Sequence, residues 1–259
     1  MMNAIERLEA YMNGISMASI HPGILITNIQ TPPSAMNIST NQLAGRNGER
    51  VESQKRTRAK TTISFVFPGS SIAERQLICQ QVASWARQGI LQVSNRQGQR
   101  LRCICTSPPS ISDVMDRAEE LKVELTAYNH PFWEENTAST ATLTGTSGNG
   151  TLFVPGNGGE ALVEITATPT SGTLNTLTLT VRGDTMSFTS LGATSANPFR
   201  LTYSDEGIQS IKVGNTSVLG KRSAASADDL RAASGGLNTI SMTANVASSV
   251  VFSTRGVWL

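Results

Sequence analysis

Charged residues are scarce in this chain. Asp, Glu, Lys and Arg make up 15% of its 259 residues, against about 25% in an average globular protein. The net charge is only +2, so no strong overall field draws the chain to nucleic acid or to an anionic membrane. No apolar run reaches the roughly 18 residues of a membrane-spanning helix. We therefore expect no membrane insertion and no specific nucleic-acid binding.

Histidine and cysteine are also sparse, with two histidines and three cysteines. His21 and His130 each precede a proline, which favours extended backbone and turns over a catalytic or zinc-binding arrangement. Cys103 and Cys105 are spaced wrongly for a C-x-x-C zinc site. We expect no metal, no cofactor and no enzymatic activity. The odd number of thiols and an N-terminus without an apolar signal segment favour synthesis in a reducing cytoplasm.

Two short motifs imitate known sites. The segment "GNTSVLGKRS" has five residues between Gly214 and Gly220, whereas a P-loop has four, and Arg222 stands where the P-loop needs Ser or Thr. The tripeptide Arg182–Asp184 spells a cell-adhesion sequence, but a hairpin turn explains Gly-Asp at this place without a receptor. Neither motif predicts a binding site.

The first half of the chain predicts a sheet with one packed helix. In "KTTISFVFPG", Ile63 and Phe65 alternate with polar residues, as in a half-buried strand. Ser71 and Glu74 form a capping box that starts a helix, and Gly89 stands where a glycine commonly ends one. A hairpin through "SNRQGQ" and the alternating strand "ELKVELTA" follow. We place this domain at residues 1–135.

Threonine and serine replace the missing charge, above all after residue 136. Threonine is β-branched and packs well on a pleated sheet. Residues 136–150 are rich in Thr, Gly and Ser and are interpreted as a linker, with a partly stranded segment as the alternative. Residues 151–259 contain short alternating segments, separated by turn residues at the spacing of an all-β domain. They predict a β-sandwich, so the fold class is mainly β.

One segment concentrates positive charge ahead of the strand that precedes the helix. It lacks the interleaved aromatic residues that stack on nucleic-acid bases. Positive charge can protect a sheet edge from unwanted pairing, or it can contact a neighbouring subunit. Our candidate subunit or tube interface consists of Arg46, Arg50, Lys55, Arg56, Arg58 and Lys60.

Taken in order, these features resemble the distal tail protein family of long-tailed bacteriophages with non-contractile tails. The resemblance rests on the Gly-Arg-x-Gly loop at Gly45–Gly48, the strand–helix module at Thr61–Gly89, the hairpin after it and the "PFW" of Pro131–Trp133. In the second half, "LGKRS", "SADDL" and the terminal "FSTRGVWL" resemble the galectin-like β-sandwich that many of these proteins carry.

The resemblance implies a structural role in the virion. Members of the family form a ring, usually a hexamer, at the distal end of the tail tube. The ring joins the tube protein to the tail-associated hub protein and to receptor-binding proteins. It also implies a β-sandwich-like N-terminal domain and a galectin-like, or jelly-roll, C-terminal domain. A carbohydrate-binding adhesion module at the virion tip remains the alternative, although fold alone does not confer sugar binding.

Overall fold

The computed structural model describes residues 7–42, 49–67, 71–110, 120–128, 130–204 and 207–259. Strands dominate these segments, which contain a single α-helix. The predicted fold class, mainly β with one packed helix, is therefore confirmed. No helix in the described segments is long and apolar enough to cross a membrane.

The chain divides into two compact units, Met1–Trp133 with Leu259 and Glu134–Trp258. The elements up to residue 127 are β1 (Ala10–Met12), β2 (Ile15–Ser16), β3 (Leu25–Gln30), β4 (Met36–Gln42), β5 (Glu49–Arg56), β6 (Lys60–Val66), α1 (Ile72–Trp85), β7 (Gln88–Val93), β8 (Gln99–Ser107) and β9 (Leu121–Ala127). The elements after them are β10 (Trp133–Glu135), β11 (Ser139–Val154), β12 (Glu160–Leu162), β13 (Glu164–Pro169), β14 (Leu177–Val181), β15 (Asp184–Phe188), β16 (Phe199–Tyr203), β17 (Gln209–Val213), β18 (Thr216–Ser217), β19 (Arg231–Ala233), β20 (Gly236–Thr254) and β21 (Val257–Trp258). Short 3-10 turns lie at Met17–Ser19, Ser94–Arg96 and Leu219–Lys221.

An antiparallel sheet in the order β2-β1-β7-β8-β9-β6-β3 forms the first unit. Its core follows the predicted alternation, because Ile63 and Phe65 of β6 are buried opposite Val123 and Leu121 of β9. Successive side chains of a strand point to opposite faces, so every second residue of β9 reaches the core. The predicted hairpin of β7 and β8 is confirmed.

Helix α1 begins as the capping box predicts, with the Ser71 hydroxyl accepting a hydrogen bond from the Glu74 amide at 3.2 Å. It ends earlier than predicted, at Trp85. Gly89 was expected to stop the helix, and this expectation is wrong, because Gly89 lies within β7. A Cβ atom at this position would overlap the side-chain amide of Asn13. Glycine is needed here for close approach between strands, not for a helix cap.

The second unit contains a sheet in the order β15-β14-β20-β13-β16-β17-β18, with β11 paired to β20. Its core is apolar and fully buried, and Phe188 and Phe199 meet there with ring centroids 4.9 Å apart. Arg182 and Gly183 both have positive φ and form the turn between β14 and β15. Turn chemistry thus accounts for the adhesion-like tripeptide, and the Arg182 guanidinium pairs with Glu160 at 2.6 Å.

The segment predicted as a linker, residues 136–150, is largely a strand. Strand β11 spans Ser139–Val154 and pairs with β20 along its whole length, apart from a bulge between Gly145 and Ser147. Threonine at alternate positions favours extended backbone, which outweighs the flexibility suggested by the low charge and the glycines. Residues 139–150 are therefore part of a sheet, which agrees with the partly stranded alternative that the sequence left open.

Candidate assembly surface

A two-stranded hairpin in the first unit, here named the β-arm, consists of Met36–Gln42 and Glu49–Arg56. Among the described strands, β4 and β5 pair only with each other. Residues 35–41 and 51–55 are all exposed, so neither face of the β-arm packs on the unit that carries it. An isolated two-stranded hairpin is marginally stable in water. The β-arm therefore has the form of an element that is completed by another surface.

The two faces of the β-arm differ in character. Met36, Ile38 and Val51 share one face, and their side chains are 45%, 56% and 47% exposed. Val51 reaches this face because a bulge at Glu52 shifts the register, so that Val51 lies opposite Thr40. The opposite face carries polar residues, namely Asn37, Ser39, Ser53 and Lys55. The β-arm is amphipathic, and its apolar face is open to solvent.

The base of the β-arm is held by backbone hydrogen bonds. The Thr57 amide donates to the Ala35 carbonyl at 2.8 Å, and the Ala59 amide donates to the Pro131 carbonyl at 3.2 Å. The Ser34 hydroxyl donates to the same Pro131 carbonyl at 2.8 Å. These bonds fix the place where the β-arm leaves the unit.

The predicted interface residues are spread along this segment. Arg46 lies outside the described residues, and Arg50 is opposite Asn41 in the β-arm. Arg56 is partly buried and donates to the Ser34 carbonyl at 3.3 Å, so it contributes to the base. The three remaining cations are exposed and form no ion pair within the described part of the chain; they are Lys55, Arg58 and Lys60.

The outer face of α1 is a second surface that the sequence analysis did not single out. The exposed positions of the helix carry no charge, and they are Ile72, Ala73, Gln76, Leu77, Gln80, Gln81 and Ser84. The two charged residues of α1 are withdrawn from solvent, since Glu74 is half-buried and Arg75 is buried. Leu77 is 54% exposed. A solvent-facing helix surface ordinarily carries charged and polar residues.

A cleft of about 470 Å³ lies at the C-terminal end of α1. Ser84, Trp85, Ile15 and Arg87 are among its lining residues. The indole N–H of Trp85 donates to the Ile15 carbonyl at 2.8 Å, which fixes the side of the cleft. Ile15 itself is 58% exposed, so the cleft extends the uncharged surface of α1.

The residue types associated with catalysis have structural roles here. The His21 and His130 rings accept hydrogen bonds from the Gly23 and Phe132 amides, which are two residues further along the chain. Burial raises the pKa of the Cys103 thiol to about 12, so the thiol stays protonated at neutral pH. Within the described segments, no three His, Cys, Asp or Glu side chains are grouped to hold a metal.

An exposed aromatic residue in the second unit was also missed. Phe153 is 57% exposed and lies directly opposite Leu237, on the outer side of the β11–β20 pair. The sequence places Phe153 in the apolar run Leu152–Val154, where no alternation shows which side chains face the core. Trp258, near the end of the chain, is less accessible and only half-exposed.

Chains of known structure are similar to this one. The SPP1 Dit (gp 19.1) protein, described as a paradigm of the hub adsorption apparatus in phages that infect Gram-positive bacteria, matches with a TM-score of 0.71 and 10% identity. The match covers 96% of this chain and 98% of that chain. A chain of the phage P2 baseplate matches with a TM-score of 0.49 and 7% identity, over 96% and 97% of the two chains. No family model and no curated protein matches the sequence.

The similarity to SPP1 Dit extends over both units and nearly the full length of both chains. At 10% identity it shows the fold. The fold expected from the resemblance to distal tail proteins is therefore confirmed.

Proposed function

We propose that this chain is a structural protein of a phage tail tip. It forms a ring, with six subunits as the expected number, at the distal end of the tail tube. There it joins the tube protein to the tail-associated hub protein and to receptor-binding proteins. The observation that carries this proposal is the shared fold with SPP1 Dit over 96% of the chain.

The β-arm supplies a physical basis for the ring. An exposed amphipathic hairpin on a fixed base can pack on a neighbouring copy of the chain. Such a contact joins two different surfaces, and it closes into a ring when the rotation between subunits divides a full turn. A protein with this function needs complementary surfaces and no catalytic pocket.

The exposed cations Lys55, Arg58 and Lys60 lie at and just after the base of the β-arm, and Arg50 and Arg46 belong to the same basic segment. We propose that these residues contact the neighbouring subunit or the tail tube. Charges at the rim of an interface contribute mostly to association rate and orientation, and little to affinity. Their effect on assembly should therefore depend on ionic strength.

The first experiment is light scattering of the purified protein over a concentration series. Each chain has a mass of 27.5 kDa, and we expect a species of about six chains that persists on dilution. Purified tail tubes should bind this species at one end. A protein that stays monomeric at every concentration and does not bind tail tubes would contradict the proposed function.

A carbohydrate-binding adhesion module is the second candidate function, and the exposure of Phe153 favours it. Sugar-binding proteins commonly present an aromatic ring to the apolar face of a sugar. Binding of the full chain to a glycan array, lost on Phe153→Ala and kept on Leu237→Ala, would support it. Absence of binding by the wild-type chain would rule against it.

A further inference from the structure

We propose that the apolar face of the β-arm docks on the outer face of α1 in a neighbouring copy of this chain. The inference rests on the proposed ring and identifies its two contact surfaces. The donor surface consists of Met36, Ile38 and Val51. The acceptor surface consists of Ala73, Leu77, Gln80 and Ser84, which lie on one side of α1 because they are spaced by four, three and four residues.

The donor surface is apolar and lacks a cover. Its three apolar side chains are each about half exposed, and burial of such carbon surface yields about 25 cal/mol per Å². Edge hairpins that face water usually carry charges on both faces to prevent association. On the β-arm, the bulge at Glu52 instead brings Val51 to the side of Ile38. This bulge gathers the apolar residues on one face.

The acceptor surface has the matching character. Leu77 stands at its centre, and the exposed residues around it on α1 are small or uncharged. Toward the end of the helix, Ser84 leads into the cleft beside Ile15. An uncharged centre with charged residues at the edge is typical of a protein–protein interface. The outer face of α1 can therefore cover an apolar hairpin without burying an unpaired charge.

The occupant is a second copy because the donor and acceptor surfaces both stay exposed within one chain. Each surface offers the uncharged area that would cover the other. Ile38 and Leu77 both remain exposed, so the β-arm does not cover α1 of its own chain. Donor and acceptor surfaces differ, which makes the contact heterologous, and a heterologous contact generates a ring or a filament and not a closed two-fold dimer. This property agrees with the ring of the proposed function.

The test uses two full-length variants that each remove one surface. Ile38→Lys places a charge on the donor, and Leu77→Lys places a charge on the acceptor. Each variant alone should be monomeric in light scattering under conditions in which the wild-type chain forms rings. Mixed at equal amounts, they should form a species of two chains and no ring, because the intact β-arm of the Leu77→Lys chain docks on the intact α1 of the Ile38→Lys chain.

Asn37→Lys and Gln97→Lys are matched controls, because they add the same charge to the other face of the β-arm and to an exposed turn residue outside both surfaces. Both should assemble as the wild-type chain does. Unchanged thermal unfolding midpoints exclude misfolding; where a lysine variant is destabilised, Ile38→Ser or Leu77→Ser replaces it.

The outcomes separate this inference from the proposed function. Rings formed by Leu77→Lys or by Ile38→Lys would overturn the docking of the β-arm on α1 and leave the ring intact. Two variants that remain monomeric when mixed would also overturn it. A wild-type chain that forms no ring, alone or on tail tubes, would overturn the proposed function and this inference together.

Discussion

The guanidinium of Arg96 lies over the indole ring of Trp133, with its central carbon 5.1 Å from the ring centroid. Arg96 also donates to the Thr31 hydroxyl at 3.1 Å, to the Thr31 carbonyl at 3.2 Å and to the Gln99 side chain at 3.2 Å. Its partial burial lowers the pKa of the guanidinium. One side chain thus joins the end of β3, the start of β8 and the buried Trp133.

Replacement of Arg96 by alanine should therefore destabilise the first unit by about 2–3 kcal/mol, since it removes several charge-assisted hydrogen bonds and a cation–π contact. Denaturant unfolding of the full chain measures the loss. Arg182→Ala is the control, because Arg182 forms an exposed ion pair with Glu160 and its removal should cost less than about 1 kcal/mol. Equal losses for the two variants would contradict a structural role for Arg96.

Gly89 is expected to tolerate no larger residue. Gly89→Ala places a methyl group on the side-chain amide of Asn13, so we expect a loss of about 1–3 kcal/mol in the free energy of unfolding. The Asn13 carbonyl oxygen Oδ1 also accepts from the Ile90 amide at 2.8 Å. Asn13→Gly alone should therefore be destabilising as well.

A double-mutant cycle separates the steric clash from the lost hydrogen bond. The variant with both Asn13→Gly and Gly89→Ala should be more stable than the sum of the two single losses predicts, because the new methyl group at position 89 then meets no side chain. Additive losses would show that the clash is not the cause.

Stability should fall at high pH through Cys103. Its pKa is raised by burial to about 12 in the folded chain, above the ordinary value of 9.0. The stabilisation is complete below pH 9.0 and is lost as the pH rises toward about 12, because the unfolded thiol ionises first. Cys103→Ala should flatten this part of the curve of unfolding free energy against pH, although alanine lowers stability at neutral pH. A wild-type curve parallel to that of the variant would refute the assignment.

The exposed cations of the β-arm segment should affect assembly through charge. The double variant Lys55→Glu and Arg58→Glu should weaken ring formation severalfold at low salt and by less at about 1 M salt, because salt screens surface charges. Light scattering at the two salt concentrations measures the effect. Lys212→Glu, an exposed change in the second unit, serves as the control. A ring that is equally stable in the double variant would remove Lys55 and Arg58 from the interface.

Local patterns in the sequence determined much of the fold. The alternation in β6 and β9 predicted which side chains are buried, because the two-residue period of a strand depends only on backbone geometry. The capping box of Ser71 and Glu74 predicted the start of α1, because a cap is made by residues three positions apart. The high threonine content predicted a mainly β chain, because β-branched residues favour strands.

Contacts between distant residues decided the rest. Gly89 serves a close approach to Asn13, which lies in the turn between β1 and β2, and no local pattern separates this role from that of a helix cap. The partner of β11 lies about a hundred residues away, so the low charge and the glycines of residues 136–150 suggested a linker, and only the pairing with β20 makes most of the segment a strand. Whether an apolar residue is covered also depends on the whole fold. Ile38 and Leu77 resemble core residues in the sequence, and only the tertiary structure leaves them exposed, because none of the described elements covers them.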